Sequence, residues 1–368
     1  MLPFAMVPRR MRSASVRLTC VAASLAASAC ATSAGGDLPE PDAGTHDAAS
    51  GVAHDAAADA PHEADAKLGP QPTGHFVVQH VYFGDTDRSD VADTAAWRSF
   101  GLDLDGKAST AQSSDTCTPY ASANAALVAT DGEGGIDNSF GENLMPAIKL
   151  LSAGFGDFGQ QVNANFEAGG STILFRTNLL DGAEPWVVRE YLTAPHATAP
   201  TFDGRDVFAI DESSLAGGSI AIDDAQVMDT AATLVGDTLT MHPYDEVLVA
   251  GSFGGASIQF HVHHARVVMK LDATRMHVVE GALGGILRTN EFLADLHGVL
   301  GTLNPSFCSG SSWDFIVERV HQSEDILADG TNRAGVPCDA ISVGLGFRAV
   351  AASYQGLAAV PVAETPCP

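Results

Sequence analysis

The chain runs to 368 residues and carries 45 acidic against 19 basic side chains, a formal net charge of −26. A surface that acidic repels nucleic-acid phosphates and anionic lipid, so nucleic acid is excluded as a partner and cations are favoured. Beyond residue 30 no stretch is long and apolar enough to be read as a membrane span.

The first thirty residues read as an export segment. Arg9, Arg10, Arg12 and Arg17 make a basic leader, and Leu18 to Ala29 is a short, alanine-rich apolar run. The run ends in Leu25-Ala-Ala-Ser-Ala-Cys30, which resembles the lipobox of bacterial lipoproteins, with Ala27 where leucine is commonest. The resemblance implies a lipid on Cys30, which would become the mature N-terminus and the membrane anchor. Ala31 stands in place of the aspartate that retains such proteins at the inner membrane. That implies an outer-membrane location, facing either the periplasm or the surface. Residues 31–72 are Ala, Asp, Pro, Gly and His with hardly a large apolar side chain. Such a composition cannot offset its ordering entropy by burial, so a disordered, self-repelling tether is expected.

Residues 73–368 are expected to form a single β-rich domain. Residues 74–83 read as an opening strand and Trp97–Leu104 as a second, leading into acidic loops. Ser139-Phe-Gly-Glu142 has the form of a capping box before a short helix. The glycine-rich stretch 155–170 receives no assignment. A series of short β-branched segments follows: Ser171–Leu180, Trp186–Leu192, Val207–Asp211, Ser219–Met228, Asp237–Met241, Glu246–Gly251, Ala256–Leu271 and Met276–Gly281. Their spacing of roughly ten residues is the rhythm of antiparallel sheets. Two amphipathic helices are expected next. One carries Phe292, Leu293, Leu296, Val299 and Leu300 after a cap at Thr289 or Asn290. The other carries Trp313, Ile316, Val317, Val320 and Leu327 after Ser311-x-x-Asp314. Ala340–Ala349 closes the chain as a strand. The fold class is therefore mainly β: antiparallel sandwich or barrel-like sheets with two amphipathic helices in the C-terminal half.

Chemistry is concentrated between Gly101 and Leu144. Asp103, Asp105, Asp131, Glu133, Asp137 and Asn138 offer oxygens, and Gly106, Gly132, Gly134 and Gly135 offer bends. Calcium, which takes 6–8 oxygen ligands, is the expected cofactor. Asp103-Leu-Asp105-Gly106 resembles the middle of the calcium loops of EF-hands and thrombospondin-type repeats. Gly101 replaces the first aspartate and Gln112 the closing glutamate, so the stretch is not an EF-hand. His261 and His263 share a strand face and form a weaker alternative metal pair. With Gly255 they resemble the opening of the cupin metal motif, but Val267 and Val268 stand where its glutamate belongs. A one-residue bulge near His263 and His264 explains the same residues without a metal, because the apolar face switches there. Ala250-Gly-Ser252-Phe-Gly254 looks like a nucleophile elbow, but a strand follows it, so a hairpin is the better reading.

Cys117, Cys308, Cys338 and Cys367 read as two disulfides in an exported chain. A helix over 313–328 and the Asp329-Gly330 turn would bring Cys308 to Cys338, leaving Cys117 for Cys367. The expected function is non-enzymatic: a tethered lipoprotein that binds a glycan or protein ligand or serves envelope structure, stabilised by calcium. The alternative is a secreted hydrolase acting on glycans or peptidoglycan.

Overall fold

In the computed structural model, the structure describes residues 71–152, 157–180, 182, 184–253, 256–359 and 367. The export segment with Cys30, and the tether through residue 70, lie outside the described residues. The strands in chain order are β1 (His75–Tyr82), β2 (Ile173–Thr177), β3 (Trp186–Leu192), β4 (Val207–Asp211), β5 (Val227–Val235) and β6 (Thr238–Thr240). They continue with β7 (Tyr244–Phe253), β8 (Ala256–Leu271), β9 (His277–Arg288), β10 (Ala340–Ala351) and β11 (Ser353–Ala358). The helices are α1 (Ala125–Val128), α2 (Met145–Ser152), α3 (Phe158–Glu167), α4 (Thr289–Leu303) and α5 (Ser311–His321).

The strands β1, β2, β3, β5, β6, β8, β9 and β10 each pair antiparallel with the next of the set, and β10 returns to β1. The sheet therefore closes into a barrel, which removes the exposed edges that invite wrong pairing. Alternation decides what enters it. Along β10, Ile341, Val343, Leu345, Phe347 and Ala349 join the core. The other face of β10 meets the acidic loops through Ser342 and Gly344, and Gly346 lies against the Phe100 ring. A Cβ on Gly344 would lie 2.8 Å from the Cα of Gly101, so only glycine permits this approach. Strand β7 pairs with the far half of β8 as a hairpin, and β4 with β11 forms a separate parallel pair. The barrel interior is filled. It leaves a cavity of about 60 Å³ among apolar side chains of β1, β2, β8, β10 and α3, among them Val78, Phe175, Val262, Leu345 and Phe158. That is far below the roughly 300–1,000 Å³ of an ordinary ligand pocket.

The expected bulge is present. His263 pairs with Ile286 and Arg266 with Gly284, so His264 and Ala265 together face Gly285, and His264 takes φ +49°. Before the bulge Val262 points into the barrel; after it Ala265, Val267 and Met269 do.

Several expectations need correction. Trp97–Leu104 is not a strand: Ala96–Ser99 is a 3-10 turn, and Leu102 makes a lone bridge to Asp137. The carbonyls of Trp97 and Phe100 are taken by the Asn138 side chain rather than by a neighbouring strand. Within 155–170, α3 forms because Asp157 caps it, accepting the N–H of Gln160 at 3.0 Å. Residues 219–226 hold turns, and the strand begins at Val227. Neither expected cap of the later helices is used. β9 runs straight into α4 with Arg288 as N-cap, and Gly310 takes that place for α5.

The disulfides pair differently from the expectation: Cys117 with Cys338 and Cys308 with Cys367, each with Cα atoms 5.2 Å apart. The reason is the length of α5, which ends at His321. The chain then bonds along the start of β10 through Asp325 and Ile326 and meets the loop at Thr118. There Thr118 donates to the Val336 carbonyl at 2.7 Å and Cys338 donates to that of Thr118 at 3.0 Å. Leu327, expected on the α5 stripe, packs instead against the Cys117–Cys338 disulfide.

Candidate functional site

The acidic stretch folds as loops laid over the outer face of β10. An antiparallel bridge between Leu102 and Asp137 joins its two halves, with the Asp137 N–H donating to the Leu102 carbonyl at 3.1 Å. A second join links Ser109 and Asp131, each donating its N–H to an oxygen of the other. Gly135, at φ +90°, lies so near the chain that a Cβ would come within 2.4 Å of the Lys107 carbonyl.

These joins bring Asp103, Asp105 and Asp137 together, with one carboxylate oxygen of each within 4.8 Å of the others. Backbone N–H groups orient them: Gly106 donates to Asp103 at 2.7 Å, Lys107 to Asp105 at 2.9 Å and Leu104 to Asp137 at 2.7 Å. The Oδ2 of Asp105 is buried with no hydrogen-bond partner among the described residues. The loop's own cation is turned elsewhere, since Lys107 pairs with Asp115 at 2.9 Å and bonds the Asn332 carbonyl. Arg266 reaches the stretch but donates to the backbone carbonyl of Asp103.

Burial and the neighbouring carboxylates act on Asp137 above all. Asp137, only 2% exposed, is pushed up to about 8, chiefly by burial, with the charges of Asp325, Asp131 and Asp105 adding to it against the Leu104 N–H. Burial raises Asp131 to about 6 and Asp325 to about 7. Asp325 had no signal in the sequence as part of this group. It comes from the segment after α5, where both of its oxygens accept from Ser342 of β10.

The remaining expected ligands stand differently. Asp131 is engaged by Ser109 at the edge of the group, and Glu133 is exposed on a 3-10 turn outside it. Asn138 is turned away. Its amide donates to the Trp97 and Phe100 carbonyls and accepts from the N–H groups of Gly141 and Gly344, which ties the loops to the barrel wall.

His261 and His263 both meet α4. His261 pairs with Asp295 at 3.0 Å, and His263 bonds Glu291 one helical turn earlier. The other ring nitrogen of His263 faces the Asp245 carbonyl at 3.2 Å. Burial opposes charge on His261, but the hydrogen-bonded Asp295 and the nearby Glu246 and Glu291 raise its pKa overall. The pair clamps a helix to a strand. Ligand atoms do gather around His263, yet the other two come from Glu246 and Glu291 and not from His261. His242 is held by Asp229 at 3.2 Å. Ser252 lies within the β7–β8 hairpin, as the hairpin reading expects.

Comparison with known protein families, with curated proteins and with solved structures found no match. The chemistry of the site is therefore read from its own residues.

Proposed function

We propose that the protein is an extracytoplasmic lipoprotein, tethered to the outer membrane through Cys30, whose barrel serves binding or envelope structure and is stabilised by calcium at the acidic loops. The observation that supports the calcium reading is the convergence of Asp103, Asp105 and Asp137, with no base among the described residues paired to their carboxylates. Ionising three carboxylates at that range is unfavourable, and a divalent cation removes the repulsion. Asp131 and Asp325 add negative charge close enough to act on Asp137.

A cation bound only by the folded state stabilises it by about 2.7 kcal/mol at a hundredfold excess over its dissociation constant. The melting temperature should therefore fall when a chelator is added, and recover with calcium but not with magnesium. Asp137→Asn should remove most of that response, whereas His263→Ala should leave it in place. An unchanged melting curve under chelation would show that the loops hold themselves together without a metal. The lipid anchor is tested separately: Cys30→Ala should move the protein from the membrane to the soluble envelope fraction.

A further inference from the structure

One part of the barrel wall is split. Strand β6 pairs with residues 268–270 of β8, while β7 pairs with residues 256–265 of the same strand, and the chain passes from one to the other through Met241, His242 and Pro243. The end of β5 follows β6, but its first residues, Val227 to Asp229, lie against β3. Asp229 pins the split by accepting the N–H of His242 at 2.7 Å. Beside it, between the starts of β5 and β7, lies a cleft of about 430 Å³ lined by residues including Glu190, Leu192, Ser214, Met228, Tyr244 and Glu246. That volume suits a small molecule.

Glu190 is the unusual member of this lining. It stands on the face of β3 that also presents Val188 and Leu192, both members of the barrel core. It is 4% exposed, and its Oε2 has no hydrogen-bond partner among the described residues. The hydroxyl of Tyr244 in the same cleft is also buried, with the Asp229 N–H close to it. Polar atoms left unpaired in a folded interior cost enough that each needs an explanation.

The surroundings select the explanation. Asp245 and Glu246 of β7 share the lining, and Tyr244 stands near both Glu190 and Asp229 of β5, while Ser213 and Ser214 are uncharged. Among the described residues no lysine or arginine lines the cleft. Arg176 of β2 and Arg189 of β3 are engaged by Asp223. An anion would find no counter-charge here, and a neutral sugar would leave the Glu190 carboxylate uncompensated. An ammonium group supplies N–H donors and positive charge together.

We infer that the cleft between β5 and β7 is a binding site for a small organic cation bearing an ammonium group, with Glu190 as counter-ion and the Tyr244 oxygen as a second acceptor. This holds whether or not the acidic loops take calcium, since the two sites share no residue. Burial pushes the Glu190 carboxyl up to about 8. Below that pH the carboxyl must lose its proton before it can pair, so binding releases a proton and strengthens as pH rises.

The test is calorimetric titration of the full chain with n-butylamine, using n-butanol as the uncharged analogue. Butylamine should bind saturably and butanol should not. The affinity for butylamine should rise by up to roughly tenfold per pH unit from pH 6 to pH 8, then level off. Proton release, measured in buffers of different ionisation enthalpy, should fade over the same range. Glu190→Gln should abolish binding while the protein still melts cooperatively, and Tyr244→Phe should weaken it by roughly five- to tenfold. Equal binding of amine and alcohol, no saturation at pH 8, or wild-type affinity in Glu190→Gln would each overturn the assignment. Should Glu190→Gln fail to fold, Tyr244→Phe and the pH dependence of the wild type still decide it.

Discussion

The acidic loops and the β5–β7 cleft both bury carboxyl groups, yet they do so on different backbones. In the loops each of Asp103, Asp105, Asp131 and Asp137 accepts a free main-chain N–H, from Gly106, Lys107, Ser109 and Leu104 in turn. In the cleft Glu190 sits on a strand, where neighbouring N–H groups serve the ladder, and its Oε2 accepts nothing among the described residues. A loop can therefore gather several carboxylates at one point, whereas a strand delivers a single one. Several converging charges call for a divalent ion. One calls for a monovalent partner.

Cutting the covalent tie of the loops should have the largest effect on this contrast. The Cys117–Cys338 disulfide closes a sequence separation of 221 residues and anchors the segment that carries Asp325 to the acidic loops. Replacing both cysteines by serine should cost about 2–5 kcal/mol in denaturant unfolding. It should also weaken the calcium response while leaving amine binding at Glu190 unchanged. If both responses fell together, the two regions would not be independent.

Acidity, followed with and without calcium, should separate the regions next. Asp137, Asp131 and Asp325 have folded pKa values raised to about 8, 6 and 7. Groups raised in this way stabilise the fold below their unfolded pKa near 4, and that stability is lost as pH rises through the folded values. In chelator the melting temperature should therefore drop by roughly 5 °C between pH 5 and pH 8. Calcium should flatten the slope. A melting temperature that climbs over this range in chelator would contradict the raised pKa values of Asp137, Asp131 and Asp325.

The smallest effect should come from the cleft itself. Glu190→Met removes a buried carboxyl without emptying its place on the β3 face. In ligand-free protein at pH 9, where the native carboxyl must ionise unpaired, the variant should be more stable by about 1 kcal/mol. At pH 5 the gain should vanish. A loss of stability at both values would mean that Glu190 has a structural partner.

The strands were legible in the sequence where periodicity was strong. Trp186–Leu192, Val207–Asp211 and Ala256–Leu271 fold over the residues that their alternation marks, and the phase change at His263 and His264 is visible in the apolar pattern alone. The antiparallel barrel-like class follows from the same rhythm. What stayed hidden was long-range: which cysteines meet, and that Asp325 joins the acidic loops. Both depend on where α5 stops, and its apolar stripe continues in sequence to Leu327 although the helix does not. α3 was masked by the glycines around it, with Asp157 as the one local sign. Glu190 did leave a trace. Trp186, Val188 and Leu192 mark one face of a strand, and an acid between them on that face is a charge aimed inward.

The bulge at His264 bears on which changes the gene can tolerate. A point substitution along β8 alters one contact, but removal of His264 would restore a single phase to the whole strand. Either Val267 and Met269 would then leave the barrel interior, or His261 and His263 would lose Asp295 and Glu291 on α4. One extra codon holds two incompatible phases together, so an in-frame deletion of that triplet should be selected against more strongly than any single replacement at the same position.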